Sequence, residues 1–254
     1  MSKWFNGAVE CANGVHLLAP SNSFEVAYGS ARGAEKRLLT DDVVRQLPRS
    51  RGLWNDKEWR LRARSCERLL ATLGQQGSTL SILDVGCGNG WLAGRMQAEG
   101  HRVLGIDLFT MELEQAARVF PEVTFARADL FTTTLPRGRF DVVVFAASLQ
   151  YFPSMHQVME RCSQLLRPKG VVHVVDTVLY ATESEARGAT ERSKSYFLGL
   201  DLPEMSGHYH AHSRQALNAI PDIRYLELTK PSWMHRFNAR WGSPFTHLVI
   251  GPFD

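Results

Sequence analysis

Short apolar runs alternating with amphipathic stretches constrain what this chain can fold into. The sharpest is Phe140-Asp141-Val142-Val143-Val144-Phe145, a continuous apolar run behind a single acid. A strand with one wet face alternates apolar and polar residues. A continuous run instead suits a strand covered on both faces, as in a parallel sheet. Related segments lie at Ser81–Val85, Arg102–Ile106, Val123–Arg127 and Val171–Thr177. Between them the spacing becomes helical, over Trp91–Glu99, Met111–Val119 and Met155–Leu166. Gly100 ends the first of these helices, and Pro168-Lys169-Gly170 reads as a turn after the last. Such alternation predicts an α/β fold with a parallel, doubly wound sheet.

Outside this block the pattern changes. Met1–Ser30 reads as irregular and rich in Gly, Asn and Ser. Ala31–Leu47 reads as one helix ending at Pro48. Glu58–Leu73 reads as another, with Trp59, Leu61, Leu69, Leu70 and Leu73 on its buried face and Gly74 as its stop. After Thr177 the alternation pauses. Ala181–Leu200 and Ser213–Ala219 read as helices, and strands near Ile223–Leu228 and Thr246–Gly251 close the chain. The stretch between those strands, with Trp233 and Trp241, has no assignable pattern.

At 254 residues the chain can form one large domain with an appendage. The 29 Lys and Arg nearly balance 26 Asp and Glu, which argues against a nucleic-acid partner. Eight basic residues and three acids lie between Arg45 and Arg68, forming either a solvated helix face or a patch for an anionic partner. Cysteines 11, 66, 87 and 162 make no Cys-x-x-Cys, so neither a disulfide framework nor a metal knuckle is expected. The N-terminus has no basic region leading into an apolar run, and Val142–Leu149 is too short to span a bilayer. A cytoplasmic protein without membrane association is expected.

Chemistry concentrates at strand ends, where open parallel sheets bind ligands. After the first strand comes Asp84-Val85-Gly86-Cys87-Gly88-Asn89-Gly90. A dinucleotide fingerprint would put its third glycine at position 91, which is Trp91. Asp107 ends the second strand. Its carboxylate can accept from both hydroxyls of a ribose or cap the helix beginning near Phe109. Ala128-Asp129-Leu130 follows the third strand, and Ala146 to Phe152 follows the fourth.

Taken in order from Ile82 to Asp176, these motifs resemble class I S-adenosylmethionine (SAM)-dependent methyltransferases, most closely the type-11-like branch acting on small molecules. The resemblance implies a Rossmann-like, seven-stranded, mostly parallel sheet whose last strand is antiparallel. It also implies an N-terminal cap over residues 1–75 and a methyltransferase domain over 76–254, with an insertion after the fifth strand at about 178–212. The implied cofactor is SAM, with S-adenosylhomocysteine (SAH) as product. Asp84 would serve the ammonium of its methionine half, beside Gly86, Cys87, Gly88 and Gly90. Asp107 and Leu108 would take the ribose, and Asp129 and Leu130 the adenine. Ala146 and Gln150 would border the cofactor, and Tyr28 and Arg32 of the cap would reach the methionine carboxylate. The Asn/Asp-Pro-Pro-Tyr motif of amino-methylating enzymes is replaced by Ala146-Ala147-Ser148-Leu149.

Methyl transfer needs a nucleophile aligned with the carbon–sulfur bond, and a base only if that nucleophile carries a proton. Tyr151, His208 and His210 are the candidates. His208, His210 and His212 would share one face of an extended strand, yet no further ligand is paired with them, so no metal is expected. His156 and His173 read as structural. The expected function is in-line transfer to an O, N or C nucleophile of a small molecule. The alternatives are an RNA or protein methyltransferase using the basic 45–68 region, or a non-catalytic SAM-binding partner subunit. The oligomeric state is left open.

Overall fold

The computed structural model describes residues 4–5, 9–229 and 245–253. Its opening is more regular than the composition of Met1–Ser30 suggests. β1 (Cys11–Ala12) and β2 (Val15–Leu17) form an antiparallel hairpin. Its turn, Asn13-Gly14, has φ of +51° and +82°. Positive φ at both central positions marks a type I′ turn, whose twist suits the strands it joins. α1 (Ser23–Ala34) follows, with the Asn22 side chain accepting from the Glu25 amide. The single helix expected over Ala31–Leu47 is two. Lys36 at φ +54° interrupts it, and the chain restarts as α2 (Asp41–Gln46). α3 (Asp56–Gly74) buries Trp59, Cys66, Leu69 and Leu73.

The alternating block runs β3 (Ser81–Val85), α4 (Trp91–Ala98), β4 (Arg102–Asp107), α5 (Thr110–Val119), β5 (Thr124–Arg127), β6 (Phe140–Ala146), α6 (Met155–Leu165) and β7 (Leu166–Thr177). The turn expected at Pro168-Lys169-Gly170 is absorbed into β7. Lys169 takes φ +68°, and the register against β6 slips between the Phe140–Leu166 and Val142–Val171 pairs. This is a bulge: extra residues on one strand with no counterpart on the other.

β8 (Leu179–Tyr180), α7 (Glu183–Gly199), β9 (His212–Ser213), α8 (Arg214–Asn218), β10 (Tyr225–Thr229) and β11 (Thr246–Ile250) complete the chain. Thr182 and Glu185 form a capping box at the start of α7, satisfying two otherwise unpaired amides. The stretch holding Trp233 and Trp241 lies outside the described residues.

The main sheet has the order β1-β2-β5-β4-β3-β6-β7-β11-β10. From β5 to β10 it is the Rossmann-like seven-stranded arrangement, with β11 antiparallel to both neighbours. The hairpin extends it, β2 lying parallel to β5. Alternate residues of β6 enter opposite cores. Val142 and Val144 meet α3, α4 and α5, while Val143 and Phe145 meet α6 and α8. All four are fully buried, which accounts for the continuous apolar run. Among the described residues no helix is long and apolar enough to cross a membrane.

A buried imidazole pair joins β7 to β11, with His173 Nδ1 and His247 Nε2 3.0 Å apart. Burial holds His173 down at about 4 and His247 at about 3. The folded chain therefore keeps both neutral, whereas an unfolded chain protonates them near pH 6.5. Their contribution is intact above that pH and is lost as pH falls toward about 4. Between pH 7 and 5 the wild type should lose roughly 2 kcal/mol per imidazole more than His173→Leu/His247→Val, measured by urea denaturation.

Candidate functional site

The sheet reverses its winding between β3 and β6, opening a crevice at their carboxyl ends. The turn leaving β3 passes close to β6. A Cβ on Gly86, at φ +72°, would lie 2.5 Å from Ser148 Cβ, so only glycine fits without displacement. The Gly86 and Cys87 amides both donate to the Ile106 carbonyl, at 2.8 and 3.1 Å. Gly90 caps α4 and packs toward Phe125 and Ala116, away from the crevice.

Asp107 ties this turn to β4. One carboxylate oxygen accepts from Gly88 N at 2.8 Å, and the other from Leu108 N and Phe109 N at 2.7 and 2.9 Å. Asp129 closes its own turn, Oδ1 accepting from the Phe131 and Thr132 amides. Asp84 differs from both. It is 1% exposed, and neither carboxylate oxygen has a hydrogen-bond partner. Burial, aided by the neighbouring Asp107 charge, pushes its carboxyl up to about 7.

Two cavities meet at this point. The smaller, about 90 Å³, is bordered by Asp107, Leu108, Asp129 and Leu130. The larger, about 600 Å³, is bordered by Cys87, Gly88, Arg32, Ala146, Gln150 and His210, among others. Tyr28, Gly86, Ala147 and Tyr151 line both. Tyr28 stands edge-on to Phe109 and Tyr151, with ring centroids 5.5 and 5.6 Å apart. Gln150 Nε2 donates to the Ala147 carbonyl.

The three alternating histidines take different surroundings because a 3-10 turn, Pro203–Gly207, ends just before them. His208 lies outside both linings and packs edge-on to Phe24 at 4.9 Å. His210 lines the large cavity, its amide donating to the Gln150 carbonyl. Burial lowers its pKa, favouring the neutral imidazole. His212 is buried, with Nε2 3.1 Å from the Leu149 carbonyl oxygen. Among the described residues no cluster of three or more His, Cys, Asp or Glu is arranged to hold a metal ion.

Two acids in this region escaped the sequence reading. Glu112 is a buried member of α5, its side chain 4% exposed. Arg32 Nη2 donates to its Oε1 at 2.6 Å, and Arg32 Nε to the same oxygen at 3.2 Å. The signal was available: Glu112 falls at helical spacing with buried Phe109, Ala116 and Val119. Asp176 lines the large cavity near the end of β7. An acid interrupting an apolar strand at its ligand-binding end was the clue there. The basic region from Arg45 to Arg68 is partly neutralised, Arg45, Arg49 and Arg62 pairing with Asp42, Glu67 and Glu58.

A sequence profile described as a methyltransferase domain matches residues 83–174. The chain is 29% identical over 217 residues to the 27-O-demethylrifamycin SV methyltransferase of Amycolatopsis mediterranei (strain S699), covering 80% of this chain and 79% of that one. It is 33% identical over 100 residues to the ubiquinone biosynthesis O-methyltransferase of Leptothrix cholodnii (strain ATCC 51168 / LMG 8142 / SP-6), covering 37% of this chain and 42% of that protein. Among solved structures, geranyl diphosphate C-methyltransferase of Streptomyces coelicolor A3(2), crystallised with SAH, has a similar fold. Its TM-score is 0.56 at 19% identity, covering 76% of each chain.

Arg32 and Glu112 are a mutually dependent pair, because removing one charge strands the other. Arg32→Met should cost on the order of 3 kcal/mol in urea denaturation, and Arg32→Met/Glu112→Leu should recover most of that loss.

Proposed function

The chain is a class I SAM-dependent methyltransferase, and on that premise we propose that it methylates a hydroxyl oxygen of a small molecule enclosed by the larger cavity. One observation carries this reading: the two cavities share the walls Tyr28, Gly86, Ala147 and Tyr151. In this reading the smaller cavity takes the adenosine half of the cofactor, with Asp107 and Leu108 toward the ribose and Asp129 and Leu130 toward the ring. The methionine half passes Gly86 toward Cys87, Gly88, Ala146 and Gln150. The rest of the larger cavity takes the acceptor. The names of the Amycolatopsis and Leptothrix relatives support oxygen as the nucleophile.

Asp84 provides a test of fit for the cofactor. Asp84 is not itself in the lining of either cavity, which the chain reaches at Val85 and Gly86. A buried carboxyl with both oxygens unpartnered is costly, and an ammonium group brought to the Gly86 turn would offset that cost. When bound, SAM supplies a methyl group already activated on a sulfonium. The chain's task is then orientation and exclusion of water. Tyr28 and Tyr151, edge-on to one another, stand where the two cavities meet. Arg32, although committed to Glu112, also lines the large cavity and can meet the methionine carboxylate.

Two measurements test this reading. If Asp84 must ionise to hold the ammonium, SAH binding should weaken about tenfold per pH unit below the group's pKa of about 7. Asp84→Asn should bind weakly with little pH dependence, and Asp107→Ala should lose micromolar affinity in the same calorimetry. Incubation with methyl-labelled SAM, a mixture of hydroxylated small molecules, total RNA and total protein should yield methyl ethers of the small molecules. Label found only in an RNA or protein fraction would refute the small-molecule reading.

A further inference from the structure

The large cavity holds a carboxyl that the cofactor reading leaves unused. Asp176 is 5% exposed, lines the cavity and has no hydrogen-bond partner for Oδ1. Its backbone adopts φ +56°, a left-handed conformation uncommon outside glycine. Ser65 on α3 hydrogen-bonds the side chain. Arg62, Glu58, Arg68 and Cys66 of α3 act on it electrostatically, and Arg37, Lys57, Tyr180, Tyr209 and His210 line the same cavity. Glu58 is already engaged by Arg37 and Arg62. The carboxyl thus combines an unfavourable backbone with incomplete pairing, a combination that clusters at functional sites.

Topology separates Asp176 from the acids assigned to the cofactor. Asp84, Asp107 and Asp129 belong to β3, β4 and the turn after β5, on one side of β6. Asp176 belongs to β7, on the other side. Resting on the small-molecule reading above, we propose that Asp176 is the catalytic base of the acceptor site, taking the proton from the hydroxyl that receives the methyl group. The acceptor O–H bond breaks and its proton moves to Asp176 Oδ1. The oxygen forms its new bond to the methyl carbon, and the carbon–sulfur bond breaks with its electron pair left on sulfur. Asp176 then releases the proton to solvent. Burial raises the Asp176 carboxyl above its ordinary value, which strengthens it as a base when ionised.

The test uses the full chain as wild type, Asp176→Asn, Ser65→Ala and His210→Gln. Calorimetry measures SAH binding, and radiolabelled transfer is followed across pH with catechol and an ansa-macrocyclic polyol as hydroxyl probes. Asp176→Asn should bind SAH within about twofold of wild type and melt no lower, because it removes an incompletely paired buried acid. Its kcat should fall by about 100-fold or more with a small change in KM, and the acid limb of the pH–rate profile should disappear. Ser65→Ala should shift that limb while keeping it. Infrared difference titration of the SAH complex without acceptor should still show a carboxyl band that Asp176→Asn removes.

A tenfold loss of SAH affinity in Asp176→Asn, or the absence of that band, would assign Asp176 to the cofactor and overturn the proposal. Transfer retained within about threefold, or lost only in His210→Gln, would overturn it as well. Failure of the wild type to bind SAH is a separate result that sinks the methyltransferase reading itself.

Discussion

The Asp107 carboxylate joins two strand ends that must stay in register if the crevice is to exist. It collects amides from Gly88, Leu108 and Phe109, binding the turn after β3 to the start of α5. The Ile106 carbonyl adds a second tie by accepting from Gly86 and Cys87. Buried backbone amides need partners, and here one acid and one carbonyl satisfy five of them. Gly86 can then approach Ser148 on the far side of the crevice more closely than any side chain would allow.

The same crevice concentrates negative charge. Asp84 and Glu112 are buried near Asp107, and each is pushed upward in pKa by desolvation first and by the Asp107 charge second or later. Arg32 offsets part of this through Glu112. Because Arg32 is carried by α1, the N-terminal segment also supplies charge to the crevice floor. Glu25 strengthens the docking by accepting from the Thr110 amide, and Tyr28 packs on Phe109. Cover and sheet are thus held by polar contacts as well as by aromatic packing. Asp84 alone among these acids has both oxygens unsatisfied, which suits a site that receives a cation.

Much of the fold was legible because the strands of a doubly covered sheet write themselves as apolar runs. Val142 to Phe145 is the clearest case. The departures have local causes. The Asn13-Gly14 hairpin carried a strong turn signal, but strands of two and three residues leave almost no periodicity to read. The break between α1 and α2 falls at Lys36, a residue with no tendency to announce a left-handed backbone. At Pro168–Gly170 the turn residues were real, but pairing with β6 made them a bulge. The spacing of His208, His210 and His212 was equally real, yet it assumed an extended backbone that the preceding 3-10 turn prevents at His208.

Chain order determined which strands and helices form, where the glycine turn lies and which acids stand at strand ends. These follow from neighbours a few residues apart, through side-chain periodicity and backbone sterics. Only the tertiary structure decided which acids are paired from a distance and which are buried without a partner. Asp129 and one oxygen of Asp107 are satisfied by amides one to three residues on, but the other oxygen of Asp107 reaches Gly88 across the sheet, the helical acid Glu112 finds Arg32 from 80 residues away, and Asp84 and one oxygen of Asp176 find no partner. Burial and pairing depend on what distant segments bring to a point, and no local pattern encodes that sum.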